Sequence, residues 1–229
     1  PNEFIAASMS NELSNTDKLS EYFEELKRLK IKVQRPCINE CFAEFIPKKN
    51  TLFYALGAIK NVGFEAISQV VNERKKNGEF KSISDFINRV NPKNINKLQL
   101  EGLVKAGTFD SIFTNRKALY DNIPNIIQNS KTIYENKVHN QSSLFSNDNQ
   151  KVSYLIQDKN SIKWTNDEIL SKEFESVGFY LSSHPLEDFK DVLNQYKVKP
   201  FKDFENSNEN EAFIAGTIMS IKEKKTSKG

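Results

Sequence analysis

The sequence predicts a mainly helical fold with one small β element. Apolar residues recur at helical spacing through most of the chain, and side-chain caps or glycines bound several of those runs. Only one pair of short apolar stretches, "CFAEFI" and "TLFYAL", brackets a turn-like "PKKN" in the manner of a β-hairpin.

Taken in order, "PNEFIAASMS" reads as the middle of a helix. "NTDKLSEYFEELKRLKI" offers Asn15 or Thr16 as a cap and apolar residues at 19, 22, 23, 26 and 29, one buried helical face. The hairpin follows near residues 40–56. A short helical approach then meets a tight turn at Asn61-Val62-Gly63, and a helix from about 64 to 77 stops at Gly78. "SISDFINRV" and "NINKLQLEGLVKAG" are short capped helices, the second ending at Gly107, and 115–135 reads as one longer helix despite Pro124. From 136 to about 163 periodicity fades into Ser, Asn, Lys and Gln, the composition of a linker. Beyond it come a helix, an apolar strand-like patch and another helix, and "FIAGTIMSI" alternates like a half-buried strand. The beginning, which lacks an initiator Met, and the end of this stretch both suggest a piece of something longer.

Composition narrows the function classes. Hydrophobic residues make up 38% of 229, with 17 Phe, enough for a core, and the mean hydropathy of −0.60 suits a soluble chain. No run approaches the roughly 18 apolar residues of a membrane span, and no signal peptide opens the sequence, so no membrane partner is expected. Cys37 and Cys41 could offer two zinc ligands, but His139 and His184 lie far off, and reduced thiols in a cytoplasmic protein are the simpler account. Charge is unevenly placed. Residues 57–107 carry nine basic side chains (Lys60, Arg74, Lys75, Lys76, Lys81, Arg89, Lys93, Lys97, Lys105) against five acidic ones, while the rest of the chain is close to balance. The excess points to a polyanion.

"AIKNVGFEAISQVV" carries the most specific local chemistry. A helix-hairpin-helix turn places Gly-hydrophobic-Gly between two helices, so that backbone N–H groups at the start of the second helix face a phosphate. Gly63 is expected to supply the positive φ, Asn61 takes the first glycine's place, Val62 is the hydrophobic residue between them, and Lys60 adds charge. A degenerate second copy lies at Lys105-Ala106-Gly107. Both sets would contact backbone phosphates of double-stranded DNA without reading sequence. Alternatively, Gly63 and Gly107 are ordinary helix caps.

The runs "FYALGAIKNVGFEAISQVVNERKKNGEFKSISDFINRV" and "NKLQLEGLVKAGTFDSI" resemble the bacterial DNA polymerase III alpha subunit family, as do "PNEFIAASMSNELSNTDKLSEYFEELKRLKIKVQRPCINEC" and "EFESVGFYLSSHPLEDF". The resemblance is collinear over essentially the whole chain. It implies the end of a fingers domain over 1–56, a tandem helix-hairpin-helix DNA-binding domain over 57–135, and a flexible segment with a clamp-binding peptide over 136–163. A helical connector over 164–211 and a truncated OB-fold start over 212–229 complete it. In that family a peptide of the form Gln, any residue, Ser or Asp, Leu, Phe binds the sliding clamp. Gln141-Ser142-Ser143-Leu144-Phe145 matches; Gln141 would bond at the pocket rim, Leu144 and Phe145 would fill it, and Ser143 would keep the peptide extended. Alone, five residues are a cheap match and "SLF" could be a local loop anchor.

The resemblance also implies a DNA-directed DNA polymerase, a nucleotidyltransferase of DNA replication, that uses magnesium at palm aspartates and assembles with other replicase subunits. No Asp-x-Asp occurs here, so no cofactor and no catalytic residue are expected in this piece. The competing expectation is a stand-alone helix-hairpin-helix DNA repair enzyme, whose acid, base or nucleophile would come from Lys105, Asp110 or His184.

Overall fold

Local capping chemistry sets most of the element boundaries. The computed structural model describes residues 2–138, 162–218 and 221. Helix α1 covers Asn2–Asn11, and Asn15 caps α2, Thr16–Arg28, by accepting from the Lys18 amide. Ser82 accepts from Asp85 N–H to start α4, Ile83–Arg89. Asn96 and Gln99 cap α5, Lys97–Lys105, reciprocally, as Thr165 and Glu168 cap α8, Asn166–Val177. Each such cap satisfies amides that have no intrahelical acceptor. Helix α3 spans Phe64–Asn77 and ends at Gly78, with φ 84°, as the sequence suggests.

Between α2 and α3 lies a three-stranded sheet of order β1-β3-β2. β1 is Lys32–Gln34, β2 is Ile46–Lys48 and β3 is Thr51–Phe53. β2 and β3 form the expected antiparallel hairpin, and β1 adds a parallel pairing that the pattern did not reveal, Val33 opposite Leu52. Most of "CFAEFI" is not strand. Cys41 N–H turns back to the Cys37 carbonyl and Phe45 N–H donates to Ser10 Oγ at 3.1 Å, so only Ile46 is left to enter the ladder.

The helix expected over 115–135 is two helices, α6 (Arg116–Asp121) and α7 (Ile123–Val138). The break falls at Asn122. Pro124 thus sits in the first turn of α7, where its missing N–H costs no intrahelical bond. The strand-like patch "GFYLSS" is no strand either. The buried Glu173 carboxylate accepts from the Leu181 and Ser182 amides, each at 2.8 Å, which replaces ladder bonding.

The chain forms two compact units, divided between Ser182 and Ser183. In the first, one hydrophobic cluster runs from Ile5 to Leu181. It crosses residue 56 without a break, so the boundary expected there has no counterpart in the packing, and the expected 164–211 connector is split between the units. The second unit holds a 3₁₀ turn at Glu187–Phe189, α9 (Lys190–Gln195) and α10 (Phe201–Glu205). The strand expected over 212–221 makes no ladder among the described residues. Its backbone contact is Lys199 N–H to the Phe213 carbonyl at 3.0 Å. Among the described residues no helix is long and apolar enough to cross a membrane.

Candidate nucleic-acid interface

The first hairpin begins as β3 gives way to a 3₁₀ turn at Leu56–Ala58, and Val62 N–H closes the loop onto the Ile59 carbonyl at 3.0 Å. The left-handed residue is Asn61, with φ 65°, not Gly63. Gly63 is extended, with φ −71° and ψ 133°, and serves as the N-cap of α3. The expectation that Gly63 supplies the positive φ is therefore corrected: asparagine, tolerant of that region, makes the turn. Gly63 contributes an empty cap. Serine or aspartate here would fold an oxygen back onto the first-turn amides, whereas no side chain caps α3. The free amides of that turn and the helix dipole then present positive potential outward.

Packing holds this turn rigidly. Val62 is buried, while Lys60, Asn61, Gly63 and Phe64 are exposed. Lys60 N–H donates to the Ser176 carbonyl at the end of α8, at 2.8 Å. Its own carbonyl lies against Gly102 of α5, where an added Cβ would sit 2.7 Å away. Glu65, also exposed, offsets part of the local positive potential.

The second set is built differently. Gly107 has φ +75° and terminates α5; its N–H donates to the Val104 carbonyl and Thr108 N–H to the Leu103 carbonyl, both at 3.0 Å. These paired bonds are a glycine-terminated helix cap, so the amides at 107 and 108 are already used. The Arg116 guanidinium covers Gly107, donates to both Asp110 oxygens and reaches the Lys105 carbonyl at 3.3 Å. Ala106 is buried, and Lys105 pairs with Glu175 at 2.9 Å. Burial pulls the Lys105 pKa down, but the hydrogen bond and charge of Glu175 outweigh it and leave it raised. As a phosphate contact this copy offers neither free amides nor a free lysine, because both serve the helix junction.

The basic excess is likewise divided. Arg74 is 7% exposed and donates to the Ile38 carbonyl. Arg89 pairs with Glu73 and Asp85 and donates to the Gly78 and Glu79 carbonyls. With Lys105, three of the nine basic residues over 57–107 thus hold the fold together. Lys60, Lys75, Lys76, Lys81, Lys93 and Lys97 remain exposed, Lys97 within 3.8 Å of Glu101.

The candidates for an independent enzyme each have another partner. Lys105 and Asp110 are each committed to an ion pair, with Glu175 and Arg116, and His184 lies in the second unit, where Nδ1 accepts from the Leu186 amide. Among the described residues no group of three or more His, Cys, Asp or Glu could hold a metal ion. Cys37 and Cys41 are free and buried, and burial pushes the Cys41 thiol up to about 12. Gln141, Ser143, Leu144 and Phe145 lie outside the described residues.

Sequence reasoning missed Gly102, Ser176 and Arg116, the residues that seat the two turns. Of these only Gly102 left a signal, a glycine inside a helical pattern, which marks a close backbone approach.

A helix-hairpin-helix motif family matches residues 30–119, which takes in the sheet as well as both turns. The chain is 37% identical to the DNA polymerase III subunit alpha of Borreliella burgdorferi over 227 residues, 97% of this chain and 20% of that protein. It is 36% identical to its counterpart in Caulobacter vibrioides, over 86% of this chain and 17% of that one. The Campylobacter jejuni protein is also 36% identical, over 96% of this chain and 18% of its own length. The chain thus spans about a fifth of the length of the relatives it matches.

Proposed function

Because this chain is homologous to one segment of the DNA polymerase III alpha subunit, we propose that it serves a replicative polymerase as a non-catalytic grip on duplex DNA. The observation that carries this reading is the uncapped N-terminus of α3 behind the Asn61 turn. A DNA phosphate placed there accepts from first-turn amides, and Lys60 neutralises its charge. Such contacts ignore sequence, as a grip on newly made duplex must. Gly107 and Lys105 act one step back, by holding α5 and α8 where the first turn packs.

The peptide Gln141–Phe145 is proposed to tether the parent enzyme to a sliding clamp, with Leu144 and Phe145 as apolar anchors worth about 2 kcal/mol or more each. Tethering would make the DNA contact effectively intramolecular, at roughly millimolar local concentration. Nucleotide transfer and its magnesium would belong to the parent polymerase outside this segment, together with the other replicase subunits, in the cytoplasm.

Two titrations test these claims separately. Duplex DNA binding should be weak and fall steeply with salt, and Lys60→Ala should reduce both the affinity and the salt slope, by about 0.9 for one lost phosphate contact. Salt-independent binding, or no effect of Lys60→Ala, would remove the hairpin grip. Calorimetry against a bacterial sliding clamp should show binding that Leu144→Ala/Phe145→Ala abolishes; equal binding by both proteins, or by neither, would remove the tether.

A further inference from the structure

Helix α3 carries the hairpin at its N-terminus and Arg74 and Lys75 in its last turn, roughly 15 Å further along at 1.5 Å per residue. There it borders an open groove of about 430 Å³ on the sheet, lined by Lys32, Asn39, Phe42, Lys48, Phe53 and Arg74, with Glu40 as its one carboxylate. The cations of this groove are gathered closely, and Lys75 joins them beside Phe42. Lys18, Lys27, Arg28, Arg89, Lys97, Lys105, Arg116, Lys117 and Lys172 have a carboxylate within ion-pair distance. Lys32, Lys48, Arg74 and Lys75 have none among the described residues, and three of them converge on one aromatic ring. Lys48 Nζ, Arg74 Cζ and Lys75 Nζ lie 4.9, 5.2 and 5.6 Å from the centroid of Phe42. Lys48 also lies 4.9 Å from that of Phe53.

Glu40 offsets only part of these four like charges, so the groove keeps a positive excess that an anion would relieve. The rings specify the anion further. Phe42 and Phe53 are only partly buried and meet Lys48 near 4.9 Å, so each offers its π-surface to the groove. A duplex keeps its bases stacked inside and cannot use such a surface, whereas a single strand can.

We propose that this groove binds single-stranded DNA, with phosphates held by Lys32, Lys48 and Lys75 and bases stacked on Phe42 and Phe53. Lys48 covers the rings in the free protein and moves to a phosphate as a base takes its place. Arg74, held by the Ile38 carbonyl, contributes field but little contact. The site is distinct from the hairpin in residues and in the form of DNA it takes, and it stands whether or not the hairpin grips duplex.

The test is fluorescence anisotropy of labelled oligo(dT) with the 229-residue chain, across a salt series. Lys32→Ala/Lys48→Ala should weaken binding at least ~10-fold and flatten the salt slope by roughly 1.4, two contacts at 0.7 each. Lys131→Ala, which removes an exposed lysine in neither site, should leave oligo(dT) binding unchanged. An abasic oligomer of equal length should bind at least ~5-fold more weakly than oligo(dT), the low end of one stacked base. Both lysines are exposed, and an unchanged melting temperature would show that the variant is folded. Unaltered oligo(dT) affinity in the double variant, or equal affinity for the abasic oligomer, would overturn the proposal.

Discussion

The carbonyl oxygen of Lys60 lies so near the α-carbon of Gly102 that a methyl group there would approach it to 2.7 Å. This contact fixes the hairpin against α5. Replacing Gly102 by alanine sets two effects against each other. Helix propensity favours alanine by about 1 kcal/mol, and overpacking against a backbone atom costs about 1–3 kcal/mol. The clash should win because the Lys60 backbone is also held by Ser176 and cannot retreat. Gly102→Ala should lower the urea midpoint and weaken duplex binding more than a distant substitution of equal destabilisation.

The amides of the first turn of α3 can be removed one at a time. Gly63, at φ −71° and ψ 133°, already has the backbone that precedes proline, and proline is welcome at the first helical position. Phe64→Pro should therefore leave the protein folded while deleting one donor, and Phe64→Ala removes the same ring but keeps the amide. Duplex affinity measured by anisotropy should fall more for the proline than for the alanine variant. Equal losses would assign the effect to the ring.

Glu173 is 1% exposed, and one of its oxygens accepts both the Leu181 and Ser182 amides. Glu173→Ala strands two donors, at about 1–3 kcal/mol each, so denaturant titration should show a loss of about 2–5 kcal/mol. Glu173→Gln keeps an acceptor oxygen and should lose distinctly less.

The Cys41 thiol is pushed up to about 12 chiefly by burial. In the unfolded chain it ionises near its ordinary value of about 8.5. Between those two values the unfolded state has lost a proton that the folded state keeps, so stability is unaffected below the lower value and falls as pH rises through the window. Cys41→Ser in a pH series of denaturant titrations should flatten that alkaline decline. Thiol reagents at neutral pH should label the native chain only as fast as it opens.

The helices were legible because their signals are local. The caps at Asn15, Ser82 and Asn96, and the stop at Gly78, lie within a turn of what they control. The failures are non-local. β1 pairs with β3 across an intervening loop, and "GFYLSS" escapes strand pairing only because a helical carboxylate eight residues upstream takes its amides. In the candidate site, spacing located the Asn61-Val62-Gly63 turn and the tolerance of Asn61 for positive φ, but gave Gly63 a positive φ that it does not adopt. The charge count marked the right region yet could not separate Arg74, Arg89 and Lys105, used inside, from the lysines left outside. That separation depends on partners distant in sequence, such as Ile38 and Glu175.

Helix α8 follows the stretch 139–161, yet it packs on α5 and delivers the Ser176 carbonyl to the hairpin, while Trp164 meets Tyr120 of α6 at 5.6 Å. Both ends of that stretch are therefore sewn into one core. A protease site engineered between 139 and 161 would divide the polypeptide without dividing the unit: two chains would elute together and melt together. For a tether attached there, a pull would arrive at two anchor points instead of one, so the load would be shared by α7 and α8 before either could peel away.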